Sequence, residues 1–250
     1  MCFLRCSQAR EQAIRQQLAG RSLRQGEDHE TTECCPATDH CPEPRCLWRR
    51  RHNTLPPTTN AFKTYRQLTT TINSTAALDG RVRSDGNVNT TDSNIYVGDS
   101  TDVPNAVYRS FLSFDLSSLL AALTSSNVLS ATLTARQRLV LGTPYSSLNV
   151  GSSYLLVDHV IYGAVLSASD FDAPVLSAQG NFITTATIGN YSKSMLSAVK
   201  ADLSANRTRT QYRLRFARQT NGDGSADLVH IYASDNATDK PRLEITYLIP

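Results

Sequence analysis

Beyond Trp48 this chain has no tryptophan, and beyond Cys46 it has no cysteine. Glutamate is nearly as scarce: of the 15 acidic residues after Arg66, only Glu244 is a Glu. No apolar run approaches the ~20 residues that a membrane-crossing helix needs. Each absence excludes something. Thiolate chemistry, disulfides and cysteine-ligated metal are confined to the first 46 residues. An acid set made almost wholly of Asp argues against a helical domain, because Glu favours helices whereas Asp favours turns and loops. The missing apolar run excludes a helical membrane span. The net charge of +3 over 250 residues is too small to argue for nucleic acid.

What is present divides the chain into unlike parts. Residues 1–66 carry 11 Lys/Arg against 7 Asp/Glu, and residues 67–250 carry 14 against 15. We expect a Cys/Arg-rich, poorly structured leader over 1–51, a Pro/Thr-rich linker over 52–75 and a β domain over 76–250. Within the leader, Gln8 to Ala19 can form one short helix, with Ile14 and Leu18 on one face and Gly20 as its stop. Cys34, Cys35, His40, Cys41 and Cys46 form a dense set of potential zinc ligands. However, no Cys-x-x-Cys pair is present and Cys34 and Cys35 are adjacent, so zinc is not expected there. Met1-Cys-Phe-Leu-Arg holds no apolar stretch of the length a secretory signal needs.

From Ala76 onward, short strand signals recur between turn signals. Asn94 to Gly98 is a short strand. Tyr108 to Leu116 alternates, with Leu112, Phe114 and Leu116 on one face and Arg109, Phe111 and Ser113 on the other. Val128 to Val140 places Leu129, Ala131, Leu133 and Ala135 on one face. Tyr154 to Tyr162 is apolar on both faces, as a central strand would be. Phe182 to Ile188, Gln211 to Arg218, Leu228 to Ala233 and Leu243 to Leu248 complete the set. One helix interrupts it: Met195, Leu196, Val199 and Leu203 follow the 3.6-residue period, with Ser192 as a possible cap. Leu116 to Leu123 has the look of a helical turn. The pattern implies an all-β antiparallel sandwich of the jelly-roll kind with one short helix.

The segments Asp79-Gly-Arg-Val-Arg, Ile95-Tyr-Val-Gly, Tyr108-Arg-Ser-Phe-Leu-Ser-Phe-Asp-Leu-Ser-Ser-Leu, Leu129-Ser-Ala-Thr-Leu and His230-Ile-Tyr-Ala-Ser-Asp-Asn followed by Lys240-Pro-Arg-Leu-Glu-Ile-Thr-Tyr resemble the DNRLRE-type β jelly roll. That family is grouped with carbohydrate-binding modules. The resemblance covers about 76–250, and the tryptophan-containing segment of many members is absent here. It implies a non-catalytic domain of an extracellular or cell-surface protein, often found beside enzymes or in arrays.

Candidate ligand residues follow from what sugars require. Pyranose rings stack on aromatic faces, and their hydroxyls bond to polar side chains; the tyrosines, Tyr212 among them, supply aromatics with a polar end. Arg213 and Arg215 lie on the outward side of their strand, and Arg136 and Arg138 lie on another. If those two strands pair, the four arginines form a cationic face for an acidic glycan; a merely solvated face is the simpler reading. For a structural calcium, Asn221, Asp223 and Asp227 offer oxygens at alternate positions, and Asp85 and Asn87 offer a second set. Asn-Gly and Asp-Gly also suit a hairpin turn at 221–224.

Catalysis is not expected from this sequence. No Gly-x-Ser-x-Gly elbow occurs. Asp227 and His230 point to opposite faces of a strand, and His159, flanked by apolar residues, reads as a satisfied core or edge residue. We expect a carbohydrate-binding or surface-display module, extracellular, cell-surface or on a virion. The alternative is a self-assembling subunit of a fibre, shell or phage particle.

Overall fold

The computed structural model describes residues 63–103 and 105–250. The leader, its Cys/His set and its short helix lie outside the described residues. Strand β1 (Arg66–Asn73) falls within the stretch expected to be a linker. It pairs antiparallel with the last strand, β12 (Arg242–Ile249), from Arg66 opposite Ile249 to Asn73 opposite Arg242. The linker reading is therefore corrected over 66–73, and the sheet begins before residue 76. Three consecutive threonines suit a pleated edge strand, but they blur its alternation. Leu68 and Ile72 still reach the core.

The remaining strands are β2 (Gly80–Arg83), β3 (Val88–Asn89), β4 (Asn94–Ser100), β5 (Ala106–Asp115), β6 (Val128–Leu141), β7 (Leu155–Val160), β8 (Ser177–Ile183), β9 (Gly189–Ser194), β10 (Arg209–Phe216) and β11 (Asp227–Tyr232). They form one curled antiparallel sheet in the order β1-β12-β6-β11-β4-β5-β10-β7-β8. The hairpin of β2 and β3 joins β5, and β9 joins β6. The result is the sandwich-like all-β fold that the alternation implies.

The inner faces close on one large core. Ile95, Val97, Leu112, Phe114, Leu133, Val157, Leu214, Val229, Ile231, Leu243 and Ile245 are each at most 1% exposed. The helix Leu196–Ser204 covers part of this core with Ala198, Val199 and Leu203. Its start corrects the proposed cap: Ser192 belongs to β9, where its hydroxyl lies 2.7 Å from Thr134 Oγ1, and the helix begins after Met195. The strand expected at Phe182 to Ile188 lies earlier, as β8. Leu129 is exposed rather than internal. Ser130 faces Thr246 while Val128 faces Tyr247, so Leu129 is the extra residue of a bulge.

β5 is buried on both faces because a second layer covers the outside of β5, β10 and β7. Phe111 there meets Leu78, Val82, Val160, Tyr162, Leu166 and Ala173. The cover consists of the β2–β3 hairpin and the long loop between β7 and β8. Gln211 anchors the start of that loop: its side-chain oxygen accepts the Tyr162 and Gly163 amides, and its NH2 donates to the Gly163 carbonyl.

Candidate functional site

The second layer decides which arginines of β10 reach solvent. Alternation puts Arg209, Gln211, Arg213 and Arg215 on the same outer side. Arg213 is 4% exposed. It donates to the Phe171 and Ala173 carbonyls and to Asp158, itself 1% exposed. Arg215 donates to the same carboxylate. Arg109, buried beside them, donates to Asp172 and to the Phe171 carbonyl and stacks on the Phe171 ring. Burial pulls the Arg109 pKa down, and the charge of Arg213 adds to this. Arg109 and Arg213 hold the covering loop in place and are closed to a ligand, whereas Arg215 is half-buried and spent on Asp158.

The other sequence-derived candidates also disperse. Tyr212 is fully buried in the main core, and its hydroxyl accepts from Thr210. Arg136 and Arg138 lie on β6, separated from β10 by β11, β4 and β5, so the expected four-arginine face does not form. Arg138 is exposed, with its guanidinium 5.8 Å from the Tyr232 ring centre, and Arg136 lies 3.9 Å from Asp239. Tyr96 is no open platform, because Arg81 and His230 both stack on its ring, at 4.0 and 4.2 Å. Burial, with the charges of Arg138 and Arg81, pulls the His230 pKa down.

The two loops considered for calcium are stitched by their own hydrogen bonds. Asp227 is buried and accepts from the Thr143 amide, the Ser147 hydroxyl and the Asn221 side chain. Asp223 bonds to Asn221 and to the Ser225 amide, closing the turn. Asp85 pairs with Arg83 and caps the Asn87 amide; the Arg83 contact holds the Asp85 carboxyl down at about 2. Among the described residues, no three His, Cys, Asp or Glu side chains gather where they could hold a metal ion.

Two clefts open instead where the helix returns to β10. The first, of about 370 Å³, is lined by Ile161, Gly163, Ala164 and Asn206 to Arg209, with Gln211 behind. No Asp or Glu lines it. Arg209 Nη1 is closed to solvent and without a partner among the described residues, and its other amino group is 3.8 Å from Asp115. Asn206 takes a positive φ of 54°, which fits the tight turn that brings Arg207 and Arg209 together. The second cleft, of about 400 Å³, shares Arg207 and is lined by His159, Leu176, Ser177, Ser197, Ala201 and Ala205.

At the floor of the second cleft, His159 Nε2 lies 3.0 and 2.9 Å from the two Asp202 oxygens. Arg207 donates to Asp202 from the other side at 2.9 Å. The satisfied core or edge residue expected at His159 is buried and paired, but it also borders an open cleft. Arg207 and Arg209 were passed over. Parity alone puts Arg209 on the side of Arg213, and only the fold shows that one lines a cleft and the other is covered.

No protein-family model matches the chain, and no curated protein matches it. Among the described residues, no helix is long and apolar enough to cross a membrane.

Proposed function

We propose that this chain is a carbohydrate-binding module of the DNRLRE type, carried on an extracellular or cell-surface protein, and that its ligand is an acidic glycan. The observation that carries this reading is the first cleft. Arg207 and Arg209 both line it and no carboxylate does, although Arg207 already donates to Asp202 and Arg209 lies 3.8 Å from Asp115. A uronate or sulfate accepts a planar pair of N–H donors from guanidinium, and such charge-assisted bonds are the strong ones. Ile161 and Ala164 give apolar wall against which the C–H face of a sugar packs, so a few polar groups in an otherwise apolar concavity fix the ligand.

The test is a titration of the full-length chain with polygalacturonate and with a neutral polysaccharide of similar length. Saturable binding to the polyuronate that weakens with salt supports the reading. Equal binding of both polymers removes the acidic ligand, and binding of neither returns the chain to the assembly-subunit alternative.

A further inference from the structure

The second cleft holds chemistry that binding does not require. Asp202 has both oxygens on His159 Nε2, and a carboxylate only accepts, so that nitrogen carries the hydrogen. In the tautomer with its one hydrogen on Nε2, the ring presents the Nδ1 lone pair on its opposite side. Ser177 Oγ stands there at 3.5 Å. Gln179 Nε2 donates to Ser177 Oγ at 2.7 Å, and Ser197 donates to the Gln179 oxygen at 3.1 Å. With the Gln179 amide so oriented, the Ser177 hydroxyl receives one hydrogen and has Nδ1 as the acceptor for its own. Ser177 is part-exposed and lines the cleft, whereas His159 and Asp202 are each 1% exposed.

A purely architectural role explains half of this. The His159–Asp202 pair fastens β7 to the helix Leu196–Ser204. It does not explain why the free ring nitrogen meets a hydroxyl at the wall of an open cleft that also holds Arg207. The ring nitrogens are used in the reverse order from the serine proteases, but the chemistry needs only an N–H held by a carboxylate and a lone pair facing a hydroxyl.

We propose that Ser177 is a nucleophile with His159 as its general base, and that the cleft cleaves small acyl esters such as those on sugar hydroxyls. Ser177 Oγ attacks the ester carbonyl as its proton passes to His159 Nδ1. The C–O bond to the alcohol then breaks, and the departing oxygen takes that proton. Water attacks the acyl–Ser177 ester, gives a proton to Nδ1, and Ser177 Oγ leaves with it. Ester and water become alcohol and carboxylic acid, with no other reactant. Asp202 is a positioning residue that fixes the imidazole, and Arg207, bonded to Asp202, lines the same cleft as Ser177. The sugar-ester substrate rests on the glycan reading, whereas the Ser177–His159 chemistry does not; the two clefts share Arg207.

The experiment treats the full-length chain with a fluorophosphonate probe and maps the adduct by peptide mass, alongside release of p-nitrophenol from p-nitrophenyl acetate. The expected result is one adduct, on Ser177, and hydrolysis that drops about 100-fold in Ser177→Ala. A small hydroxyl replaced at a part-exposed position leaves the melting curve in place, which separates lost chemistry from lost fold. An unlabelled Ser177 in folded protein, an adduct on another serine alone, or equal hydrolysis by Ser177→Ala overturns the proposal.

Discussion

Arg213 Nη2 lies 3.0 Å from Asp158 Oδ2, and Arg215 Nε lies 2.7 Å from the same oxygen. One buried carboxylate thus serves two cations two residues apart on β10. The pair sits under the β7–β8 loop, whose Phe171 and Ala173 carbonyls take further Arg213 donors. Without Arg213 the buried carboxylate keeps only Arg215, and the Ala173 carbonyl loses its donor. Arg213→Ala is expected to destabilise the fold by about 1–3 kcal/mol. Arg215→Ala should cost less, because its side chain is 27% exposed and water can compensate. Urea denaturation of both variants checks the order; a larger loss for Arg215→Ala contradicts the burial argument.

Asp79 gives a pH dependence whose sign is fixed. It is 1% exposed, and burial raises its pKa from 3.8 to about 7, although its Oδ1 accepts the Ser113 amide. Between those values the folded chain keeps a proton that the unfolded chain releases. Stability contributed by this group therefore falls as pH climbs from about 4 to about 7, by about 4 kcal/mol in total at ~1.36 kcal/mol per unit, and is flat above. Asp79→Asn keeps an oxygen for the Ser113 amide and cannot ionise. Its stability should exceed that of the parent at neutral pH and approach it near pH 4. Parallel stability–pH curves for the two chains contradict this.

Asp227 organises a corner where three segments meet. Its carboxylate accepts from Thr143, Ser147 and Asn221, while its own amide donates to Asp99. Gly98 fits this corner, since a Cβ there would run into the Asp227 carbonyl at a φ of +124°. Asp227→Ala removes the shared acceptor of three part-buried donors, which water can partly replace, so the cost is about 1 kcal/mol, at the low end for a lost bond. The expected result is a lowered melting temperature with faster proteolysis between Thr220 and Ala226. Unchanged cleavage of that loop would show that the carboxylate does not hold it.

The strand inventory was legible because alternation is a local property. Leu112, Phe114 and Leu116 against Phe111 and Ser113 give β5 and its two faces directly. What one strand shows is which side a residue takes, and what covers that side depends on distant segments. Arg213 and Arg209 share a side, yet one is closed over by residues 171–173 and the other lines a cleft. Ser177, His159 and Asp202 were illegible for the same reason: they come from β8, β7 and the helix, and only the fold sets them within hydrogen-bond reach. β1 was missed because Thr69, Thr70 and Thr71 mask its period. Leu129 was misplaced because a bulge shifts the register near one end of β6.

In the proposed reading Arg209, which lines the first cleft, faces the ligand. The most direct measurement is polygalacturonate affinity of the full-length chain against Arg209→Ala, with Arg138→Ala as an exposed control on a distant strand. Loss of a charge-assisted bond of about 1.5–3 kcal/mol predicts at least tenfold weaker binding for Arg209→Ala and little change for Arg138→Ala. Equal affinity for the parent and Arg209→Ala, or a larger loss at Arg138, would contradict it.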